Sequence, residues 1–395
     1  MTNNKAQVAV VRANTYQNTQ IYADVKRSVD LLGGINSFVK KGDKVLLKPN
    51  LLSAKPPEAG ITTHPAVIKA VAKLVMEAGG TPFIGDSPGG RSINFEKVAA
   101  VTGMKQAADE LGIRLVDFKD SVELSATNGG IFKKLNVAKE ALDADVIINL
   151  PKLKTHVQMF LTLGVKNMFG CIIGLQKAQW HFKAGVDRKY FAAMLLELYS
   201  LLKPSLTIVD GIVAMEGDGP GSAGKLRNLG LVFAGSDAVA LDTVICNALG
   251  VKNEELPILV AAKEKGIGIT EMEKIDVLGE RLKDVSIHDF IRPKMIDVMF
   301  GPNLLKKFYV MFGPNLLKKF FVNNITSKPR EDRKMCTLCS KCIEACPTDI
   351  ISIQNKRLEF NYDKCIRCFC CLEVCPEGAM QVKQGPLLKL FSYFS

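Results

Sequence analysis

Eight of the eleven cysteines fall into two copies of one pattern near the C-terminus. The first copy is C-T-L-C-S-K-C-I-E-A-C-P from Cys336, and the second is C-I-R-C-F-C-C-L-E-V-C-P from Cys365. Both read C-x2-C-x2-C-x3-C-P. Thiolates so spaced wrap three corners of an iron–sulfur cube, and the fourth cysteine of each run ligates the other cluster. The spacing therefore assigns Cys336, Cys339, Cys342 and Cys375 to one [4Fe-4S] cluster, and Cys346, Cys365, Cys368 and Cys371 to a second. Cross-ligation of this kind ties both halves into one small unit that needs little hydrophobic core. Cys370 lies inside the second copy and belongs to neither set. Zinc knuckles use two C-x2-C pairs, whereas here third and fourth cysteines and a proline recur in both halves. A disulfide framework would suit a secreted chain.

A chain of 395 residues is too long for such a unit alone, and 47% apolar residues allow a sizeable core beside it. The start MTNNKAQVAVV lacks a charged-then-apolar leader, and no apolar run reaches 18 residues. The expectation is a cytoplasmic protein, which agrees with reduced cysteines and oxygen-sensitive clusters. The net charge of +12 is uneven: residues 290–330 hold eight Lys or Arg against one acid, Asp297. A basic excess confined to one segment points to what that segment touches, and no nucleic-acid partner is expected.

Along residues 7–118 short apolar runs alternate with helical patterns. VAVVRA, KVLLKPN, TPFIGDSP and RLVDF read as strands. YADVKRSVDLLGG, HPAVIKAVAKLVMEAGG and roughly 95–111 read as helices, with Pro65 in a first turn and Gly79-Gly80 closing a helix. The strand DVIINLPK, the helix RKYFAAMLLELYSLLKP, the strands LTIVDG and LGLVFAGS, and the helix DAVALDTVICNALG follow. This alternation predicts an α/β fold: a mostly parallel sheet with flanking helices over residues 1–289, plus a small α+β two-cluster domain over 331–385.

Between them, in 290–330, MFGPNLLKKF occurs identically at 299–308 and 311–320. Each copy has a Gly-Pro break, a capping Asn and then Leu-Leu-Lys-Lys-Phe, which reads as two short amphipathic helices with one basic face. The segment is a linker packed on the large domain, a contact with a partner-protein groove, or a peripheral contact, through 290–325, with an anionic membrane face such as the inner side of the cell membrane. Near such a surface each basic residue gains about 1 kcal/mol. The apolar tail 386–395 would join the same surface.

In open parallel sheets ligands bind beyond the carboxyl ends of strands. After KVLL come Lys48 and Asn50; after PFIG, Asp86; after DVIINL, Lys152, Lys154 and His156; after LTIV, Asp210 and then Glu216. On extended backbone Lys152, Lys154 and His156 share one side. Lys152, Lys154, His156, Asp86 and Asp210 are the candidate reactive set, expected to surround one concave site. Lys48, Asn50, Lys166, Asn167 and Glu216 are candidate ligand contacts. Two ammoniums and an imidazole suit a small anionic ligand, whereas Asp86, Asp210, Glu216 and His156 offer the O and N donors of a divalent metal. Taken singly, the acids read equally as helix caps and the lysines as solvated side chains. Exposed, Lys154 and His156 could be truncated at a stability cost of no more than about 0.5 kcal/mol. His181 beside Trp180 is a weaker candidate. Gly219-Pro-Gly221-Ser-Ala-Gly224 matches G-x-G-x-x-G but precedes a strand rather than a helix, so a dinucleotide reading fails. No phosphate loop of the Walker type occurs.

The cysteine segment resembles a bacterial two-[4Fe-4S] ferredoxin domain. The ordered set K-P-N-L, T-T-H-P-A-V-I, G-D-S-P-G, L-P-K-L-K-T-H, G-V-K-N-M-F-G and D-G-I-V-A-M-E-G-D-G-P resembles the family named domain of unknown function 362, one branch of which carries such a ferredoxin domain after the α/β domain. The resemblance covers about residues 7–280 and implies no catalytic residue. The leading expectation is an iron–sulfur redox protein, with oxidoreductase activity left open. Its ferredoxin domain would exchange single electrons with a ligand in the α/β crevice and with a redox partner protein. Two alternatives stand beside it: a non-enzymatic electron carrier with a protein-docking α/β domain, and a ligand- or metal-binding protein whose clusters are structural or sense oxygen.

Overall fold

The computed structural model describes residues 5–89, 94–125, 132, 134–185, 187–221, 223–294 and 327–383. The repeat at 299–320 and the tail 386–395 lie outside the described residues. The strands are β1 (Ala6–Arg12), β2 (Lys44–Pro49), β3 (Thr81–Asp86), β4 (Arg114–Asp117), β5 (Ser121–Ser125), β6 (Lys134–Ala138), β7 (Val146–Leu150), β8 (Lys152–His156), β9 (Phe160–Thr162), β10 (Leu206–Gly217), β11 (Gly224–Gly235) and β12 (Ile275–Gly279). The α-helices of this part are α1 (Asn18–Asp30), α2 (Pro65–Glu77), α3 (Phe95–Val101), α4 (Met104–Leu111), α5 (Lys139–Leu142), α6 (Gly164–Asn167), α7 (Leu175–Ala184), α8 (Arg188–Leu202), α9 (Ala238–Ala248), α10 (Pro257–Lys265) and α11 (Leu282–Val285).

The main sheet runs β12-β1-β11-β10-β7-β2-β3-β4, with β8 pairing β10 and β9 pairing β8. Its pairs are parallel except β1–β11, β10–β11 and β8–β9. Strands buried on both faces explain the unbroken apolar runs. Val45 and Leu47 face one cluster with α1 and α2, while Leu46 faces the other with α8 and α9. That is the two-residue period of extended chain.

Local chemistry sets the helix ends. His64 caps α2, its Nδ1 accepting from the Ala66 amide at 3.2 Å, with Pro65 at the first helical position. Asp237 caps α9 by accepting from the Val239 and Ala240 amides. The single helix expected over 95–111 is two, because Gly103 adopts φ +75° between α3 and α4. LTIVDG extends into the 12-residue β10, which forms an antiparallel hairpin with β11, and K-L-K-T-H forms a strand of its own, the extended backbone on which its side chains alternate.

The cysteine-rich domain contains β13 (Lys328–Glu331), α12 (Lys341–Glu344), β14 (Ile351–Gln354), β15 (Arg357–Phe360), α13 (Cys370–Glu373) and β16 (Met380–Lys383). β13 pairs β16, so residues 328–331 belong with this domain and not with the linker expected over 290–330. The two motifs fold alike: Leu338 and Arg367, two residues past the first cysteine of each, have φ of 57° and 55°. Ser340 and Phe369, one past the second cysteine, have φ of 64° and 59°. Four non-glycine residues in the left-handed region, each at an energetic cost, mark loops curled tightly about a common centre. Among the described residues no helix is long and apolar enough to cross a membrane.

Candidate functional site

The carboxyl ends of β2, β3, β7 and β10 lie on one edge of the sheet, as parallel pairing requires. The expected reactive residues divide there among separate polar centres instead of surrounding one concave site. Lys48 and Asp86 form a buried pair at 3.0 Å, and Asp86 also accepts from the Leu51 amide at 2.8 Å. This pair needs Gly170, since a Cβ there would stand 2.1 Å from Asp86 Oδ1. Lys152 and Asp210 pair at 2.9 Å in a second centre. Lys152 also donates to the Tyr16 hydroxyl, which donates to Asp210 Oδ1 at 2.8 Å. Burial, reinforced by the Asp210 charge, raises the Tyr16 pKa far above its ordinary value. His64 stacks on Tyr16 at 3.7 Å.

Lys154 donates to Asn50 Oδ1 and to the Ile61 carbonyl. Burial brings its pKa down to about 7. His156 Nδ1 accepts from the Gln158 and Met159 amides, so Nε2 carries the proton and donates to Glu373 Oε1 at 2.9 Å. Burial, with the Lys166 charge, lowers His156 to about 4, so its neutral form makes this bond at pH 7. Lys152, Lys154 and His156 are each at most 2% exposed. Truncating Lys154 or His156 therefore strands hydrogen-bond partners in the interior, and the small stability cost expected for exposed groups does not apply. Glu216 lies elsewhere, accepting from the Ile291 amide at 3.1 Å near Arg227.

A cavity of about 110 Å³ opens between this edge and the cysteine-rich domain. Of the expected residues, Asn50, Asp86, Lys166 and Asn167 line it, joined by Ser87, Lys177 and His181. The opposite wall is Ala345, Cys370, Glu373 and Val374. Lys166 and Asn167 sit on the short helix α6. Asp242 holds its first turn by accepting from the Gly164 and Val165 amides. Lys177 donates to the Ser87 and Pro88 carbonyls, and burial lowers its pKa to about 8. His181 is the weaker candidate of the sequence reading, and Lys177 escaped that reading, although their i, i+4 spacing on a helix puts them on one face.

The cysteines of the two motifs lie close together in this domain. Cys336, Cys339, Cys342 and Cys375 line one cavity of about 20 Å³. Cys371 feels the charges of Cys368, Cys365 and Cys346, and burial first of all raises its pKa. Sulfur donors converging on one cavity are the donor set that an iron–sulfur cluster takes. Among the described residues no three His, Cys, Asp or Glu side chains converge closely enough for a single metal ion. This argues against zinc, whose bonds of about 2.0–2.3 Å demand a point-like set. It also argues against the divalent metal weighed for Asp86, Asp210, Glu216 and His156, because Asp86 and Asp210 are each engaged by a lysine.

The two domains interlock beside the cavity. Besides His156–Glu373, Lys55 donates to the Pro376 carbonyl at 2.8 Å. Val157 joins the apolar cluster of Phe369, Leu372 and the cysteines. Gly221, at the tip of the β10–β11 hairpin, packs so that a Cβ would lie 2.6 Å from the Leu372 carbonyl oxygen. The G-x-G-x-x-G match is thus a hairpin tip pressed against the second cysteine motif.

Comparison with known proteins adds three findings. Residues 45–247 match the family model described as Domain of unknown function (DUF362), and residues 328–376 match a 4Fe-4S dicluster domain. A thylakoid-associated protein of Synechocystis sp. (strain ATCC 27184 / PCC 6803 / Kazusa) is 43% identical over 266 residues, which is 67% of this chain and 81% of that protein. The lactate racemase apoprotein from Thermoanaerobacterium thermosaccharolyticum is a solved structure matched at 14% identity and TM-score 0.38. The match covers 60% of this chain and spans only 55% of that one.

Proposed function

Because the chain belongs to the domain of unknown function 362 family and ends in a 4Fe-4S dicluster domain, we propose that it is an iron–sulfur electron-transfer protein whose dicluster domain exchanges single electrons with a small molecule held at the domain junction. One observation carries the reading: the cavity has one wall from the carboxyl edge of the sheet and the other from the second cysteine motif. Glu373 and Cys370 flank Cys371, and Ala345 precedes Cys346, so the cavity abuts the set Cys346, Cys365, Cys368 and Cys371. Bound there, the cluster supplies one electron at a time at a potential set by its surroundings. The other set is the outward one, with Cys339 exposed and Cys336 half-buried, and it suits a redox partner protein.

Chain residues do the rest. Lys154 positions Asn50 on the cavity rim, Lys48 holds Asp86, and His156 fixes the Glu373 carboxylate by a single hydrogen bond. Lys48, Asp86, Lys154 and His156 do this from positions withdrawn from bulk water. The test is anaerobic purification followed by mass spectrometry of bound small molecules, and by electron paramagnetic resonance of the reduced clusters with and without the released species. The parent chain should retain a small molecule whose return shifts the signal of one cluster. Lys166→Met should lose that molecule with its iron unchanged. A spectrum indifferent to everything the protein retains would favour the carrier alternative.

A peripheral membrane location is part of the proposal, supported by the basic repeat and by the description of the Synechocystis relative as thylakoid-associated. Vesicles containing acidic lipid should pull the protein down at low salt and release it as salt rises, since exposed charges are screened over about 8 Å at physiological ionic strength. Replacing Lys306, Lys307, Lys318 and Lys319 by Gln should remove most of the binding. Undiminished sedimentation of that variant would return the segment to an intramolecular role.

A further inference from the structure

We infer that Arg367 is the positioned counter-charge that holds up the reduction potential of the cluster bound by Cys346, Cys365, Cys368 and Cys371, and so lets electrons pass inward from the outward set to the junction. This deepens the electron-transfer reading and rests on it for the presence of that cluster.

Burial sets the problem. Cys346, Cys368 and Cys371 are buried and Cys365 is half-buried, whereas the outward set has Cys339 exposed. Four thiolates leave an iron–sulfur cube negatively charged, and an electron taken up makes it more so. Withdrawal from water penalises that added charge, so solvent exposure and nearby charge both enter the potential. On burial alone the inner cluster would be the harder of the two to reduce, and an electron arriving at the outward one would stay there. A cation kept close to the inner thiolates offsets the penalty.

Arg367 supplies that cation. It lies between Cys365 and Cys368, with φ of 55°, and is 6% exposed. Its Nη1 donates to the Cys365 and Tyr362 carbonyls, each at 2.8 Å. The guanidinium carbon stands 5.8 Å from the centroid of the Tyr362 ring. Tyr362 is itself anchored by donating to the Pro329 carbonyl at 2.7 Å. The guanidinium is therefore held against the backbone of a cluster ligand. A guanidinium also keeps its charge in buried settings where an ammonium readily shifts its pKa. Burial raises the Cys365 pKa, and the charge of Arg367 is the strongest influence pulling it back. The same attraction stabilises the extra negative charge of a reduced cluster.

The neighbouring charges leave this effect standing. On the cavity side the Glu373 carboxylate faces Lys166, and each offsets the other. His156, bonded to Glu373, is neutral at pH 7. On the Tyr362 side Lys328 lies 4.6 Å from the ring centroid, and Glu331 is paired with Arg333 at 3.3 Å. Asp363 and Lys364, adjacent and opposite in sign, are exposed. The first motif holds Leu338 at the position equivalent to Arg367, in the same left-handed conformation with φ of 57°. The same turn thus forms without a cation, which separates the charge of Arg367 from the needs of the backbone.

Potentiometry of the reconstituted full chain tests this. The titration is anaerobic, with reduced mediator dyes as the electron source, and the reduced clusters are followed by electron paramagnetic resonance. The step missing from Cys365→Ser belongs to the inner cluster. Arg367→Leu installs the side chain of the first motif, and Arg367→Gln keeps an amide donor for the two carbonyls. Each should lower the inner step: at a fixed applied potential the reduced-to-oxidised ratio should fall about tenfold, equivalent to about 59 mV for one electron. The outward step should move much less, because the charge acts on it over a longer distance. Arg367→Lys, which keeps a charge, should recover most of the difference. Iron and sulfide are measured in every variant. A neutral variant with full iron and the parent potential overturns the inference. So does an Arg367→Lys variant shifted as far as Arg367→Gln, which would put the effect in the hydrogen bonds. Loss of this set's iron in both neutral variants overturns it too, by making Arg367 a requirement of cluster assembly. A parent chain that assembles no cluster at this set sinks the electron-transfer reading as well, whereas one that merely retains no small molecule at the junction leaves the shift at Arg367 untouched.

Discussion

Asp210→Ala is expected to unfold the α/β domain at markedly lower urea, with a loss of about 3–5 kcal/mol for a buried ion pair deprived of one partner. Lys152 and Asp210 are 1% and 0% exposed and lie 2.9 Å apart. Removing the carboxylate strands the ammonium and the Tyr16 hydroxyl, and it also takes the acceptor from the His64 amide, bonded to Asp210 Oδ2 at 3.0 Å. Burial already drives the Lys152 pKa downward against the pull of Asp210, so losing the carboxylate lowers it further. The single tryptophan, Trp180, lies in α7 against Phe132 and reports on this domain. Its fluorescence, followed through anaerobic urea unfolding, gives the midpoint. Asp109→Ala, which removes only the exposed Lys105–Asp109 pair on α4, should leave the midpoint where it is. If both substitutions shift it equally, the Lys152–Asp210 centre is not a structural keystone.

Cys365→Ser should remove about half of the iron, from about eight to about four per chain, because each cube draws on four cysteines. Cys336→Ser should do the same through the other set. Cys370→Ser should leave iron and acid-labile sulfide unchanged, since Cys370 faces the junction cavity and both sets are complete without it. Cys365→Ser should alter the cluster beside the cavity, and with it any ligand-dependent change in the paramagnetic signal. Cys336→Ser should spare that change. Iron and sulfide analysis of anaerobically reconstituted protein checks the first part. Stoichiometric zinc without sulfide in the parent chain, or loss of four irons in Cys370→Ser, would refute the assignment.

The 4Fe-4S dicluster domain was legible because cluster ligation is written in short cysteine spacings. The parallel sheet was legible for a similar reason: buried strands and amphipathic helices carry their periods locally. The site was only partly legible. Asn50 and Asp86 line the cavity as strand-end reasoning led one to expect, and Lys166 and Asn167 join them from the glycine-bounded segment 164–170. Lys152, Lys154, His156 and Asp210 sit at the right edge but are absorbed into hydrogen-bonded pairs. Their partners come from far along the chain: Tyr16 for Lys152, Asn50 for Lys154 and Glu373 for His156. No local pattern announces such pairings. The same residue types would read identically whether they faced water or one another.

By itself, then, the sequence determined the elements, their alternation and the two repeated cysteine motifs, since each depends on residues within a few positions of one another. Only the tertiary structure decided which strand-end groups are spent on one another and which remain available. It alone set the second cysteine motif against the sheet edge, through Gly221 under Leu372 and the His156–Glu373 bond. The reason is physical: burial and pairing are properties of three-dimensional neighbours, and a lysine becomes a counter-ion, a prop or a ligand contact according to which carboxylate the fold brings within reach.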